Sequence, residues 1–240
     1  MGMQAILHAV YPPACVSCGD RVTSDFGLCS TCWTDTPFIG GAVCDCCGAP
    51  LMGADGSAQA LCDDCLTLAR PWGRGRAALI YKGNARSMVL ALKHGDRMDL
   101  ARPASTWLHR ACKDLLRPDM LVAPIPLHWS RLFKRRYNQS ALISARLAAL
   151  AGLEHCPDLL TRARATPSQE GRGRDARFAN LQGAFVPTPA QRARIAGRHI
   201  LLIDDVMTSG ATFAAAADTL LGAGASAVST AALARVVKDA

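Results

Sequence analysis

The stretch "HILLIDDVMTSGAT", residues 199–212, decides how this chain is read. His199 to Ile203 is almost wholly aliphatic, the pattern of a strand buried on both faces. Asp204 and Asp205 follow at its carboxyl end. Thr208, Ser209, Gly210, Ala211 and Thr212 then lead into "TFAAAADTLLGAG" (212–224), which has helical composition. Consecutive backbone N–H groups at a helix start form an anion nest, and the helix dipole adds partial positive charge. Small side chains let a phosphate reach that backbone, and hydroxyls add donors. The two carboxylates need a different partner, because they repel a phosphate. Sugar hydroxyls suit them, and a Mg²⁺ ion would offset their remaining charge. A ligand carrying both a phosphate and a vicinal diol, a ribose 5-phosphate group, answers to the whole stretch. The plain alternative is an ordinary strand–turn–helix with acidic residues at the strand end.

Working outward, strands are expected at 77–81, 120–126 and 227–237. Helices are expected at 85–95, 100–116 and 138–152, the last capped by Gly152. Strands alternating with helices imply an α/β fold with a mostly parallel sheet, in which ligands bind beyond the carboxyl ends of strands. Residues 162–180 are rich in Arg and Gly, lack apolar periodicity and read as a long functional loop.

Eight of the eleven cysteines form four CxxC pairs: Cys15/Cys18, Cys29/Cys32, Cys44/Cys47 and Cys62/Cys65. Two such knuckles close a tetrahedron around Zn²⁺, so sequence order gives two structural zinc sites with no open position. A disulfide framework is the alternative, and it requires an oxidising compartment. Few apolar residues separate the pairs, so metal binding must supply much of the folding energy. Cys112 and Cys156 read as small core residues. A turn-rich boundary at 70–76 divides the chain into a zinc-binding part, 1–70, and an α/β part, 76–240.

The formal net charge is +8, and residues 131–198 hold 13 Lys/Arg against 4 Asp/Glu. The excess is therefore local, which favours an anionic partner over general stickiness, although a solvated basic surface has the same composition. No apolar run is long enough to span a bilayer. The amino terminus has no basic n-region and is read as a docking segment, which makes a cytoplasmic location the expectation.

The 199–212 motif resembles the phosphoribosyl-pyrophosphate (PRPP) motif of type I phosphoribosyltransferases. With the eight cysteines, "YKGNARSMVLALKHGD" (81–96), "PIPLHWSRLFKRRYNQS" (124–140) and "RARATPSQEGRGRDARFANLQGAF" (162–185), the chain resembles the ComF family along nearly its whole length. The resemblance implies a double zinc ribbon before a type I phosphoribosyltransferase-like domain, and an association with DNA uptake in competent bacteria. It implies that Asp204 and Asp205 hold the ribose hydroxyls and that Thr208, Ser209, Gly210, Ala211 and Thr212 cradle the 5-phosphate. Pro124, Ile125 and Pro126 correspond to a pyrophosphate loop whose backbone presents N–H groups. Lys93, Arg131, Arg135, Asn138 and Gln139 match polar positions around the site. Arg162, Arg164, Thr166, Gln169, Arg177 and Asn180 match a loop that closes over the substrate. The chain departs from the family pattern at Arg136-Tyr137, where relatives read Gly-Phe, and at Arg172-Gly173, where they read Leu-Ser.

The implied chemistry is Mg²⁺-assisted phosphoribosyl transfer to an unknown acceptor. His94, His128 and His199 are weak general-base candidates. The competing reading is a non-catalytic adaptor that binds single-stranded DNA or a DNA-uptake helicase.

Overall fold

The computed structural model describes His8 and residues 11–51, 60–165, 180–181 and 183–237. Two short helices, α1 (Ser30–Asp35) and α2 (Asp63–Thr67), lie within the cysteine-rich region. The remaining elements are β1 (Gly75–Ile80), α3 (Gly83–His94), α4 (Ala101–Ala111), β2 (Leu121–Pro124), α5 (Trp129–Arg135), α6 (Gln139–Ala151), β3 (Glu154–His155), β4 (Leu160–Arg162), β5 (Phe185–Pro187), β6 (His199–Met207), α7 (Ala211–Gly222) and β7 (Ala227–Arg235).

Five strands form one sheet in the order β1-β7-β6-β2-β3, and every neighbouring pair is parallel. Alternate residues of β6 serve opposite faces. Leu201 and Ile203 join the cluster that α3, α4 and α6 build with Leu79, Val89, Leu108 and Ile143. Ile200 and Leu202 join a second cluster with Phe213 and Leu220 of α7, Phe185 of β5 and Trp72. Burial on both sides explains why the strand is aliphatic without alternation.

The second cluster also contains Cys44, Cys46, Cys47 and Cys65. The second pair of cysteine knuckles is thus packed into the same core as the sheet. Gly48, at φ +71°, lies so close to β1 that a Cβ there would sit 2.5 Å from the Ala77 nitrogen. Asp45 pairs with Arg74 and Arg76, and both arginines also reach Asp114, so a charge network crosses the same junction. The first pair of knuckles meets the α3/α4 side, where the Ser17 hydroxyl is 2.5 Å from Asn84 Oδ1 and Arg97 donates to the Val16 carbonyl at 3.2 Å.

Three differences from the sequence reading bear on the site. Strand β6 does not stop at Ile203 but runs on to Met207, because β7 continues beside it to Arg235. Its other neighbour, β2, ends at Pro124 opposite Ile203. Asp204 and Asp205 therefore lie on a strand whose β2 side has just opened. Helix α5 was not anticipated, since none of its residues is buried and it shows no apolar face against the core. The antiparallel pair β4–β5 places Arg162 in a strand, not in the long loop.

Candidate functional site

The opening beyond β2 brings together β6, the start of α6 and the end of α3. The carboxylates come from β6, and the residues that hold them come from the start of α6. Asn138 caps that helix, its Oδ1 accepting the Ser140 N–H at 3.0 Å, while its amide donates to the Ile125 carbonyl at 3.0 Å. With the cap fixed, Gln139 donates to Asp205 Oδ2 at 2.9 Å and Ser140 donates to Asp204 Oδ1 at 2.8 Å. Lys93, at the carboxyl end of α3, places Nζ 3.3 Å from Asp205 Oδ2. Gln139 is buried, and its Oε1 has no partner among the described residues.

Burial, then the neighbouring Asp205 charge, pushes the Asp204 carboxyl up from 3.8 to about 7, although the Ser140 bond and Lys93 act the other way. A site that holds Asp204 this close to neutral is one in which its negative charge lacks compensation.

The loop that follows has the nest geometry. Gly210 sits at φ +81° immediately before α7. The carbonyls of Met207, Thr208 and Ser209 face the protein: Arg235 Nη1 donates to the first two, at 3.2 Å in the case of Met207, and Arg70 Nη1 donates to Ser209 at 2.7 Å. The N–H groups of Thr208, Ser209, Gly210, Thr212 and Phe213 meet no acceptor among the described residues, and that of Ala211 is 3.4 Å from the Ser209 hydroxyl. Successive donors are thus left unused at the amino end of a three-turn helix.

The Pro124-Ile125-Pro126 segment corrects an expectation. It presents no N–H to a ligand, since prolines have none and the Ile125 N–H is bonded to the Ile203 carbonyl at 2.8 Å. Its Ile125 carbonyl instead anchors Asn138, the cap of α6. Arg131 and Arg135 follow on α5, and burial with the Arg135 charge lowers the Arg131 pKa. Arg162 is buried, with its guanidinium 5.4 Å from the Phe185 ring; burial and the Arg131 charge lower its pKa, while Asp204 acts in the opposite sense. Arg164 donates to the Asn180 carbonyl at 3.1 Å, joining the two ends of the intervening stretch. Thr166, Gln169 and Arg177 lie outside the described residues.

The histidines divide by position. His128 caps α5 through Ser130, and His199 bonds Ser229 at the far end of β6 from the carboxylates. His94 follows Lys93, and burial with the charges of Arg135, Lys93 and Lys134 lowers its pKa, against the pull of Asp205. Sequence reasoning missed Ser140, Arg70, Trp72 and Arg235. A signal existed for Arg235, a lone charge in the apolar run "AVSTAALARVV".

The two cysteine tetrads fit zinc. In each, the four Sγ atoms lie within 4.8 Å of one another. Cys18 and Cys29 sulfurs are 3.7 Å apart and Cys47 and Cys62 sulfurs 3.6 Å, close to the roughly 3.8 Å edge of a tetrahedron with Zn–S bonds near 2.3 Å. The Cys32 N–H points to Cys29 Sγ at 3.5 Å within its own knuckle, and the Cys29 N–H points across to Cys15 Sγ at 3.3 Å.

Known proteins match both parts. A double zinc ribbon domain matches residues 6–66 and a phosphoribosyl transferase domain matches residues 162–239. The chain is 31% identical over 210 residues to "DNA utilization protein YhgH" of Escherichia coli (strain K12), covering 85% of this chain and 88% of that protein. The chain belongs to the ComF family. Another relative, "Competence protein F" of Haemophilus influenzae, is 26% identical over 204 residues, covering 82% of this chain and 86% of that protein. Among solved structures, phosphoribosylpyrophosphate synthetase from Mycobacterium smegmatis overlays 58% of this chain and 34% of its own at 17% identity and a TM-score of 0.34. Among the described residues of this ComF-family chain, no helix is long and apolar enough to cross a membrane.

Proposed function

We propose that this protein binds phosphoribosyl pyrophosphate with Mg²⁺ in the opening beyond β2 and transfers the phosphoribosyl group. The observation that carries the reading is the adjacency of two unlike devices: unused N–H donors at Thr208, Ser209, Gly210, Thr212 and Phe213, and a carboxylate pair held by Gln139 and Ser140. The donors suit the 5-phosphate. Asp204 and Asp205 suit the ribose hydroxyls and, as positive charge grows on the ring, stabilise it. Mg²⁺ supplies charge neutralisation on the departing pyrophosphate when bound. Arg131, Arg135, Arg162, Arg164 and Lys93 add cations on that side. Pro124 to Pro126 shape the pyrophosphate wall. The division at 1–70 and 76–240, and a cytoplasmic setting, belong to the same proposal.

Calorimetric titration of phosphoribosyl pyrophosphate with Mg²⁺ tests it. Micromolar binding by the wild type, lost in Asp204→Asn/Asp205→Asn, is the expected result. Absence of wild-type binding refutes the proposal.

One observation favours the adaptor reading as a second function. Trp129 and Phe133, one turn apart on α5, are 72% and 87% exposed, and Lys134, Arg135 and Arg136 flank them. Aromatic faces beside cations suit stacked bases and a phosphate backbone, in keeping with the DNA utilization in its relatives' name. Salt-dependent binding of an oligo-dT strand that is lost in Trp129→Ala/Phe133→Ala is expected; unchanged affinity in that variant removes this surface from consideration.

A further inference from the structure

We propose that Arg235 and Arg70 are positioning residues that hold residues 207–209 with their carbonyls inward and tie this loop to the second cysteine cluster. That cluster, and not the first, is then a structural part of the ribose-phosphate site. The inference rests on the reading of residues 208–212 as a phosphate cradle.

Arg235 is a buried guanidinium at the end of β7. Its Nη1 donates to the Met207, Thr208 and Val236 carbonyls. Its Nη2 reaches the other way and lies 3.9 Å from Cys47 Sγ. One side chain therefore touches both the loop and a sulfur of the second tetrad. A tetrad of four thiolates around Zn²⁺ carries a net charge of −2, and a buried arginine needs such a counter-charge.

Arg70 makes an independent second link. Its Nη1 donates to Ser209, and its guanidinium stacks 5.3 Å from the Trp72 ring. Trp72 donates to the Cys46 carbonyl, inside the knuckle, at 2.7 Å and packs 6.2 Å from Phe213 on α7. Gly210 completes the fit, since a Cβ there would lie 2.9 Å from Arg70 Nη1 and 3.0 Å from the Trp72 ring. All three carbonyls before Gly210 are thus fixed by groups seated on Cys46 and Cys47. A peptide whose carbonyl is held inward points the N–H of the following residue outward, so the same bonds aim the cradle. The first tetrad has no such link among the described residues; its contacts run to Asn84 and Arg97.

Coupling of this kind is reciprocal. Zinc release from the full-length holo-protein is followed with a chromogenic chelator, with and without saturating ribose 5-phosphate. The expected result is a release of one zinc slowed about tenfold and the other unchanged. The same protection must persist in Cys18→Ser/Cys29→Ser, which removes the first site. Arg235→Gln must keep both zincs, lose about tenfold in ribose 5-phosphate affinity and bind pyrophosphate as the wild type does, with Arg235→Lys intermediate. If the wild type binds ribose 5-phosphate while both release rates stay fixed, the inference is overturned and the proposed function stands. If Arg235→Gln loses both ligands equally, positioning of this loop is refuted. If the wild type binds no ribose 5-phosphate, the proposed function falls and the inference falls with it. The zinc-release measurement on the wild type decides the matter even where Arg235→Gln does not fold.

Discussion

Asp204→Asn should stabilise the ligand-free protein while abolishing ligand binding, and the stabilisation should grow with pH. Folding lifts this carboxyl from 3.8 to about 7. At about 1.4 kcal/mol per pH unit, the anion is disfavoured by about 4 kcal/mol above pH 7. Between pH 4 and 7 the folded state holds a proton that the unfolded chain has released, so the wild type loses stability as pH rises through that window. Asparagine cannot ionise, and its carbonyl still accepts the Ser140 hydroxyl and the Asp205 N–H that now meet Asp204 Oδ1. From pH 5 to 8 the wild type should therefore lose about 2–3 kcal/mol that the variant keeps. For a chain of this length 1 kcal/mol moves Tm by about 2–4 °C, so the variant's advantage should widen by roughly 5–10 °C. Scanning calorimetry of both proteins at pH 5 and pH 8, with zinc content checked at each, measures this. A gap that is independent of pH, or a variant less stable than the wild type at pH 8, refutes the account of how Asp204 is held.

Gly210→Ala should cost about 1–3 kcal/mol by chemical denaturation, because φ +81° and the closeness of Arg70 and Trp72 both oppose a side chain; a neutral result would show that the loop is free to move. Cys47→Ser should be far more damaging than Cys18→Ser, since Cys47 lies in the sheet's own core and Cys18 is exposed; equal losses of Tm would contradict the packing of the second tetrad. Trp129→Ala/Phe133→Ala should leave stability within about 0.5 kcal/mol of wild type, because both rings face solvent; a large loss would place them in a core contact.

The zinc tetrads were legible because CxxC spacing is itself the geometry of a knuckle, and the metal needs little else. The strand and the nest at 199–212 were legible because burial and helix initiation act locally. Helix α5 was not, since it is only seven residues long and its apolar residues point outward, with no burial to mark it. The Pro124-Ile125-Pro126 segment was misread in detail: the irregular backbone was foreseen, but the use of the Ile125 N–H by Ile203 depends on a strand 78 residues away.

What the sequence alone determined is therefore the set of groups that follow from near neighbours: which sulfurs share a metal, which strand is buried twice, where a helix begins. What the tertiary structure decided is which distant groups hold them. Ser140 and Gln139 meet the two aspartates only because α6 packs across the end of β2. Arg235 meets both the Met207 and Thr208 carbonyls and Cys47 only because β7 lies beside β6 while the second ribbon docks on β1. Such partners leave no periodicity and no spacing in the chain, because the contacts that join them are made by packing and not by sequence.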